Sequence, residues 1–164
     1  MTSEPVPSRP GTPASYGIGR GGSAPGELLP WSRVVEWLEG ARNYWVSTTR
    51  PDGRPHSKPV WGLWLDGLLM FSTDPDSVTG RNIAAGSRVQ AHLESGDEVA
   101  ILDGELERPS DPELLARFAD EYERKYGIRV DVDNSATPIM ALRPSSVLSW
   151  EEKNYPETAT RWAF

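Results

Sequence analysis

Not one cysteine occurs among the 164 residues, so a disulfide framework and a thiolate metal site are both excluded. Histidine is nearly absent as well, with only His56 and His92, and no nucleophile is paired with a base in a way that would carry covalent catalysis. Long apolar runs are missing: none approaches the roughly 20 residues a spanning helix needs, and the first residues lack the basic-then-apolar layout of a secretory signal. A soluble, cytoplasmic protein with no membrane partner is expected. Basic charge is in deficit, with 17 Lys and Arg against 24 Asp and Glu and no basic block, so nucleic acid is not an expected partner. The carboxylates of "DVDN", residues 131–134, have calcium-loop spacing but no glycine and no downstream glutamate in register, and read as a loop.

What is present is ordinary globular material, 37% apolar, in a length that suits one domain. Residues 1–29 are dominated by Pro, Gly, Ser and Thr and cannot bury enough surface to offset chain entropy. A flexible N-terminal arm is expected there, resting on nothing or on a second subunit, and residues 30–164 form the domain. The arm contains "GIGRGG", residues 17–22, which formally fits the dinucleotide fingerprint; without a strand before it or a helix after it, it reads as linker.

The rest alternates between two periods. Trp31, Val34, Val35 and Leu38 have helical spacing, with Ser32 as cap and Gly40 as stop. Strands follow at residues 43–49, 54–65 and 68–73, joined by "RPDG" and by Asp66-Gly67, the strongest short hairpin signal in the chain. A further pair is read at residues 87–94 and 98–107. Ser110 and Glu113 suggest a capping box for a helix running to Gly127, with Leu114, Leu115, Phe118 and Tyr122 as its core or interface face. Residues 139–150 read as a sixth strand and "TATRWAF" as a candidate seventh. The fold class is mainly β (α+β), an antiparallel barrel of six to seven strands with flanking helices.

Two constellations stand out. The strand of residues 54–65 carries Pro55 and Pro59, which cannot donate to a ladder, so it is open at those points. That openness suits edge protection against aggregation or a flat ligand lying against the backbone. Alternation puts Ser57, Pro59, Trp61 and Leu63 on one side and His56, Lys58, Val60, Gly62 and Trp64 on the other. In the second, "STDPDSVTGRN", residues 72–82, a strand ends in hydroxyls and enters a short helix near Ser77. Ser77, Thr73, Thr79 and Arg81 would offer donors to a phosphate; alternatively Asp76 or Ser77 only caps the helix. Asp74 and Asp76 would repel an anion and are expected to face outward.

Together, "TTRPDGRPHSKPVWGLWLDGLLMFST", "SVTGRNI", "EVAILDGELE" and the terminal "TATRWAF" resemble the pyridoxamine 5′-phosphate oxidase-like split-barrel family, and more closely its actinobacterial branch of flavin- or deazaflavin-dependent oxidoreductases. The resemblance spans residues 31–164. It implies a homodimer with cofactor sites at the interface, an FMN or coenzyme F420 ring against Ser57, Lys58, Pro59, Val60 and Trp61, and a ribityl-phosphate near Ser72, Thr73, Ser77, Thr79, Arg81 and Asn82. Trp162 would close the site. Where many relatives place a phosphate-binding lysine two residues after the serine, this chain has Thr79, which brings a hydrogen bond but no charge. The terminal segment also lacks the fuller basic signature of true pyridoxamine phosphate oxidation.

The expected activity is hydride transfer from F420 or FMN to a small unsaturated or aromatic substrate, with the chemistry carried by the cofactor. The alternative is a non-catalytic module of the same fold that holds a flavin, haem or other planar ligand. An oligonucleotide-binding barrel is disfavoured by the acid excess. His56 on the site strand is a possible proton donor or a plain surface histidine.

Overall fold

The structure, a computed structural model, describes residues 4–11 and 27–164. The "GIGRGG" stretch, residues 17–22, lies outside the described residues. Among the described residues three α-helices, α1 (Trp31–Gly40), α2 (Val78–Ala84) and α3 (Pro112–Tyr126), and one 3-10 turn (Glu152–Asn154) accompany eight strands. The strands are β1 (Val6–Ser8), β2 (Asn43–Thr49), β3 (Pro55–Leu65), β4 (Leu68–Ser72), β5 (Val89–His92), β6 (Glu98–Glu107), β7 (Ile139–Glu151) and β8 (Thr160–Ala163). Strands β7, β4, β3, β2, β5 and β6 follow one another in an antiparallel sheet that the β6–β7 pairing closes into a six-stranded barrel. Strands β8 and β1 extend the sheet from β7. The fold is the mainly-β split barrel read from the sequence, with one strand more than expected: part of the N-terminal arm, Val6–Ser8, pairs with Ala163, Trp162 and Arg161. Among the described residues no helix is long and apolar enough to cross a membrane.

Local chemistry explains the connections. Asp66 and Gly67 both take positive φ, 50° and 79°, which is the geometry of a two-residue turn whose twist matches the flanking strands. Gly53 closes the β2–β3 turn by donating its N–H to the Arg50 carbonyl at 2.8 Å. Two cap assignments change. Ser32 is inside α1, whose N-cap is Pro30 with no side-chain bond. At α3 it is Asp111, not Ser110, that accepts from the Glu113 N–H at 2.9 Å, since Pro112 fills the first helical position and shifts the cap next to it.

Alternation sorts the side chains into two cores. Tyr44, Val46, Val60, Trp64, Leu69 and Phe71 point into the barrel together with Val34 and Leu38 of α1, which plugs it. The opposite-facing Leu63, Leu68 and Met70 pack outward against Phe118 and Tyr122 of α3. The helix thus buries the face its spacing predicted. From Val60 onward the even positions of β3 are therefore a true barrel core, a cleaner division than the mixed polar pattern of the strand suggests.

Candidate functional site

The two prolines of β3 fix the polarity of its edges. Thr49↔Pro55, Ser47↔Ser57, Trp45↔Pro59 and Asn43↔Trp61 are opposite one another across β2 and β3. A proline has no N–H to exchange, so these odd positions are the non-hydrogen-bonded pairs, and the N–H groups of Ser57 and Trp61 point away from β2. Among the described residues no strand pairs with β3 on that side before Gly62. Strand β4 pairs with β3 only from Gly62↔Phe71 to Leu65↔Leu68; Ser72, the last residue of β4, pairs with Ile139 of β7, and beyond it the chain turns off toward α2. This is the split of the barrel, and it brings the two predicted constellations together: the backbone from Ser57 to Trp61 and the turn from Ser72 to Asn82 border the same opening.

Within the turn, several predicted ligands already have structural partners. Ser77 caps α2 by accepting from the Gly80 N–H at 3.0 Å, and its hydroxyl lies 3.2 Å from that of Thr73. Asn82 is buried and donates to Thr48 at 2.9 Å, tying α2 to β2. Thr79 is wholly buried, and its hydroxyl has no hydrogen-bond partner. Thr79, which the resemblance places near the phosphate, thus faces inward and does not present its hydroxyl to the opening. Arg81 is exposed and donates one guanidinium N–H to the Asp76 carbonyl, which leaves its other donors free. Asp74 and Asp76 face solvent.

On β3, Ser57 and Pro59 are exposed, Val60 is in the core, and Lys58 is half-buried with no ion-pair partner among the described residues. His56 is not a plain surface residue: its Nε2 is buried and unpartnered, on the barrel side opposite Thr48. Trp162 does not close the opening. Its ring is in the barrel core against Trp31 at 5.2 Å, and its N–H is spent on the Ser149 hydroxyl at 2.8 Å.

Sequence reasoning missed the far end of the opening. Trp61, 39% exposed, stacks on Tyr126 of α3 with 4.7 Å between ring centroids. The Tyr126 hydroxyl accepts from the Gly62 N–H at 3.0 Å and lies 2.8 Å and 2.6 Å from the Gly62 and Arg42 carbonyls, filling the place where β2 has run out. Lys125 donates to the Gly62 carbonyl at 3.1 Å and sits over the Tyr44 and Tyr126 rings. Burial, assisted by Arg124 and Arg42, lowers its ammonium pKa to about 8. Tyr122 and Tyr126 at a four-residue spacing on a helix were the available signal, but nothing in one sequence says which strand they meet.

A groove of about 890 Å³ opens where β2, β3 and β5 end near α2, lined among others by Ser47, Thr49, Pro55 and Arg88. Ser47 Oγ lies 2.9 Å from Ser57 Oγ across the β2–β3 pair, and Asp103 and Glu105 of β6 line the same groove. Arg88 has no ion-pair partner among the described residues.

A family model described as pyridoxamine 5′-phosphate oxidase matches residues 31–151. The chain belongs to that family. No curated protein sequence matches it. Solved structures similar to this pyridoxamine 5′-phosphate oxidase family member include a conserved hypothetical protein from Mycobacterium tuberculosis, 20% identical, with a TM-score of 0.63 over 76% of this chain and 86% of the other. An F420 reductase is 22% identical, with a TM-score of 0.53 over 68% and 93% of the two chains. A heme-binding protein from Mycobacterium smegmatis is 20% identical, with a TM-score of 0.60 over 79% of this chain but only 57% of that one. At these identities the likeness is one of fold.

The donor set at the opening fits a flavin-type group. The backbone N–H groups of Ser57 and Trp61, which point away from β2, suit the polar edge of a ring, and Lys58 and Arg81 supply positive charge for an anionic tail.

Proposed function

We propose that the protein is a homodimeric oxidoreductase that binds FMN or the deazaflavin coenzyme F420 and reduces a small unsaturated or aromatic compound. The observation that carries this reading is the edge of β3 from Pro55 to Trp61, which no described strand pairs on the side away from β2, with half-buried Lys58 on the strand and exposed Arg81 on the turn beyond β4. When bound, such a cofactor supplies the hydride. The chain holds it: the Ser57 and Trp61 N–H groups orient the ring, the Trp61 indole gives an apolar wall, and Arg81 with Lys58 neutralises the phosphate. The family and the F420 reductase among its structural neighbours support the cofactor class.

A second subunit completes the site in this proposal. The outer face of β2, β3 and β5 carries Ser47, Ser57 and the stacked pair Trp45 and His92, whose rings are 5° from parallel, while α3 covers the β3–β4 region elsewhere. Packing a second copy there would exclude water from the ring. The alternative is a binding module without turnover. It is favoured by the commitment of Ser77 and Asn82 to structural bonds, which leaves few free side-chain donors, and by the heme-binding neighbour.

Side-by-side titration with FMN and coenzyme F420, followed by fluorescence, tests the proposal. Saturable binding of one of them at micromolar concentration or below, on the order of −8 kcal/mol, is expected, with turnover of a nitroaromatic or enone panel. Binding without turnover transfers the assignment to the module. Failure of both cofactors to bind overturns the flavin reading.

A further inference from the structure

A second cavity lies at the opposite end of β3. It has a volume of about 630 Å³, within the range of small-molecule sites, and is walled by the N-terminal strand, α1, the Asp66-Gly67 turn and the end of β8. Three aromatic rings line it. Trp31 meets Trp64 at 70° with centroids 6.3 Å apart, and meets Phe164 at 78° and 5.3 Å, so the rings form angled walls and not a flat stack. Phe164 is 53% exposed, so its ring is accessible to a guest entering the cavity.

The charges around these rings are unevenly matched. Of the groups lining the cavity, Asp66 is paired with Arg117 and Arg143 with Glu107, so both are locally neutralised. Glu4 and Glu39 also line it, and neither has an ion-pair partner among the described residues. Aromatic faces and carboxylates are attractive to the same kind of guest. A ring face attracts a poorly hydrated organic cation, and unpaired carboxylates add long-range attraction in a chain already at −7. An anion would be repelled, and a neutral aliphatic would gain nothing from Glu4 or Glu39.

We propose that this cavity is a binding site for a small organic ammonium ion, separate from the cofactor opening and independent of the redox reading. The substitution of choice is Glu39→Gln, on the exposed face of α1 where loss of charge leaves the fold intact, together with Phe164→Ala at the exposed C-terminal end.

The full chain is titrated with choline and, in parallel, with its neutral isostere 3,3-dimethyl-1-butanol, using tryptophan fluorescence and calorimetry. Choline is expected to bind saturably and at least about tenfold more tightly than the isostere, a difference of about 1.4 kcal/mol. Glu39→Gln and Phe164→Ala should each weaken choline by about fivefold or more while FMN or F420 affinity and the far-ultraviolet spectrum stay unchanged. Absence of saturable choline binding overturns the proposal, as does equal binding of the isostere, or choline binding that both substitutions leave unaltered.

Discussion

The indole of Trp61 and the phenol of Tyr126 lie 4.7 Å apart and within 6° of parallel, at the point where β3 passes beyond the end of β2. The stack sets the orientation of the one large side chain at the open edge. Beneath it the Tyr126 hydroxyl satisfies the Gly62 N–H and one of two nearby carbonyls, since its single proton serves only one at a time.

Tyr126→Phe keeps the stack and removes the hydroxyl. It leaves the Gly62 N–H without its acceptor in a half-buried site, which costs about 1–3 kcal/mol of stability. Tyr126→Leu also loses the ring contact, worth a further 0.5–1.5 kcal/mol or about that. Urea unfolding should rank wild type above Phe above Leu, and only Leu should lose the near-ultraviolet tryptophan signal. If Phe is as stable as wild type, the hydroxyl has no role in closing the strand end.

This coupling shows where a single sequence is informative. Turns and amphipathic faces are local, so Asp66-Gly67 and the Leu114 to Tyr122 face of α3 were readable from residue type and spacing alone. The prolines announced the split because a missing N–H is a property of the residue itself. The partners of the split were not readable. That Tyr126 meets Gly62, that Asn82 meets Thr48, and that Trp162 spends its N–H on Ser149 are long-range pairings, set by barrel closure. Thr79 is the sharpest instance. Its type matched a ligand pattern, but the phase of a seven-residue helix turned it inward.

Lys125 should make stability depend on pH. Burial and the neighbouring arginines lower its pKa in the folded protein from 10.5 to about 8, so between those values the unfolded chain binds the extra proton. Stability therefore rises as pH increases from about 8, and below that the penalty of the charged ammonium is fully present. Because the side chain is only half-buried, solvent screening reduces the effect to about 1 kcal/mol. Tyr44, Tyr122 and Tyr126 have raised pKa values through burial and act in the opposite sense above about pH 10, which confines the window. Urea midpoints at pH 7.5 and 9.5 should differ in wild type and converge in Lys125→Met. An equal pH slope in the variant would assign the effect to other groups.

Arg81 lies on the exposed side of the turn and Thr79 on its buried side. On the proposed function, Arg81→Ala should weaken binding of a phosphate-bearing cofactor by more than about tenfold, the loss expected for a charged hydrogen bond of roughly 1.5–3 kcal/mol. Thr79→Val removes a buried hydroxyl that has no partner, so affinity should not change and stability should hold or increase by up to about 1 kcal/mol. The reverse pattern, with Val impairing binding and Ala harmless, would mean that the helix rotates to expose Thr79 when the cofactor enters.

Barrel closure has its own vulnerable point at Gly104. The β6–β7 register slips between Asp103 and Gly104, and the two backbones approach so closely that a Cβ on Gly104 would lie 2.0 Å from the Arg143 carbonyl oxygen. Neither atom is the end of a flexible side chain, so the ladder itself must shift. Gly104→Ala should therefore destabilise by on the order of 3 kcal/mol, near the upper end for overpacking by a single methyl group. Gly96→Ala, in the β5–β6 turn with open space around its Cβ position, is the matched control and should cost little. Both are read by thermal unfolding and by amide exchange along β6 and β7. Faster exchange confined to those strands would place the weakness at the closing seam, whereas equal stability of the two variants would mean that the seam has room to yield and that the barrel is held shut elsewhere.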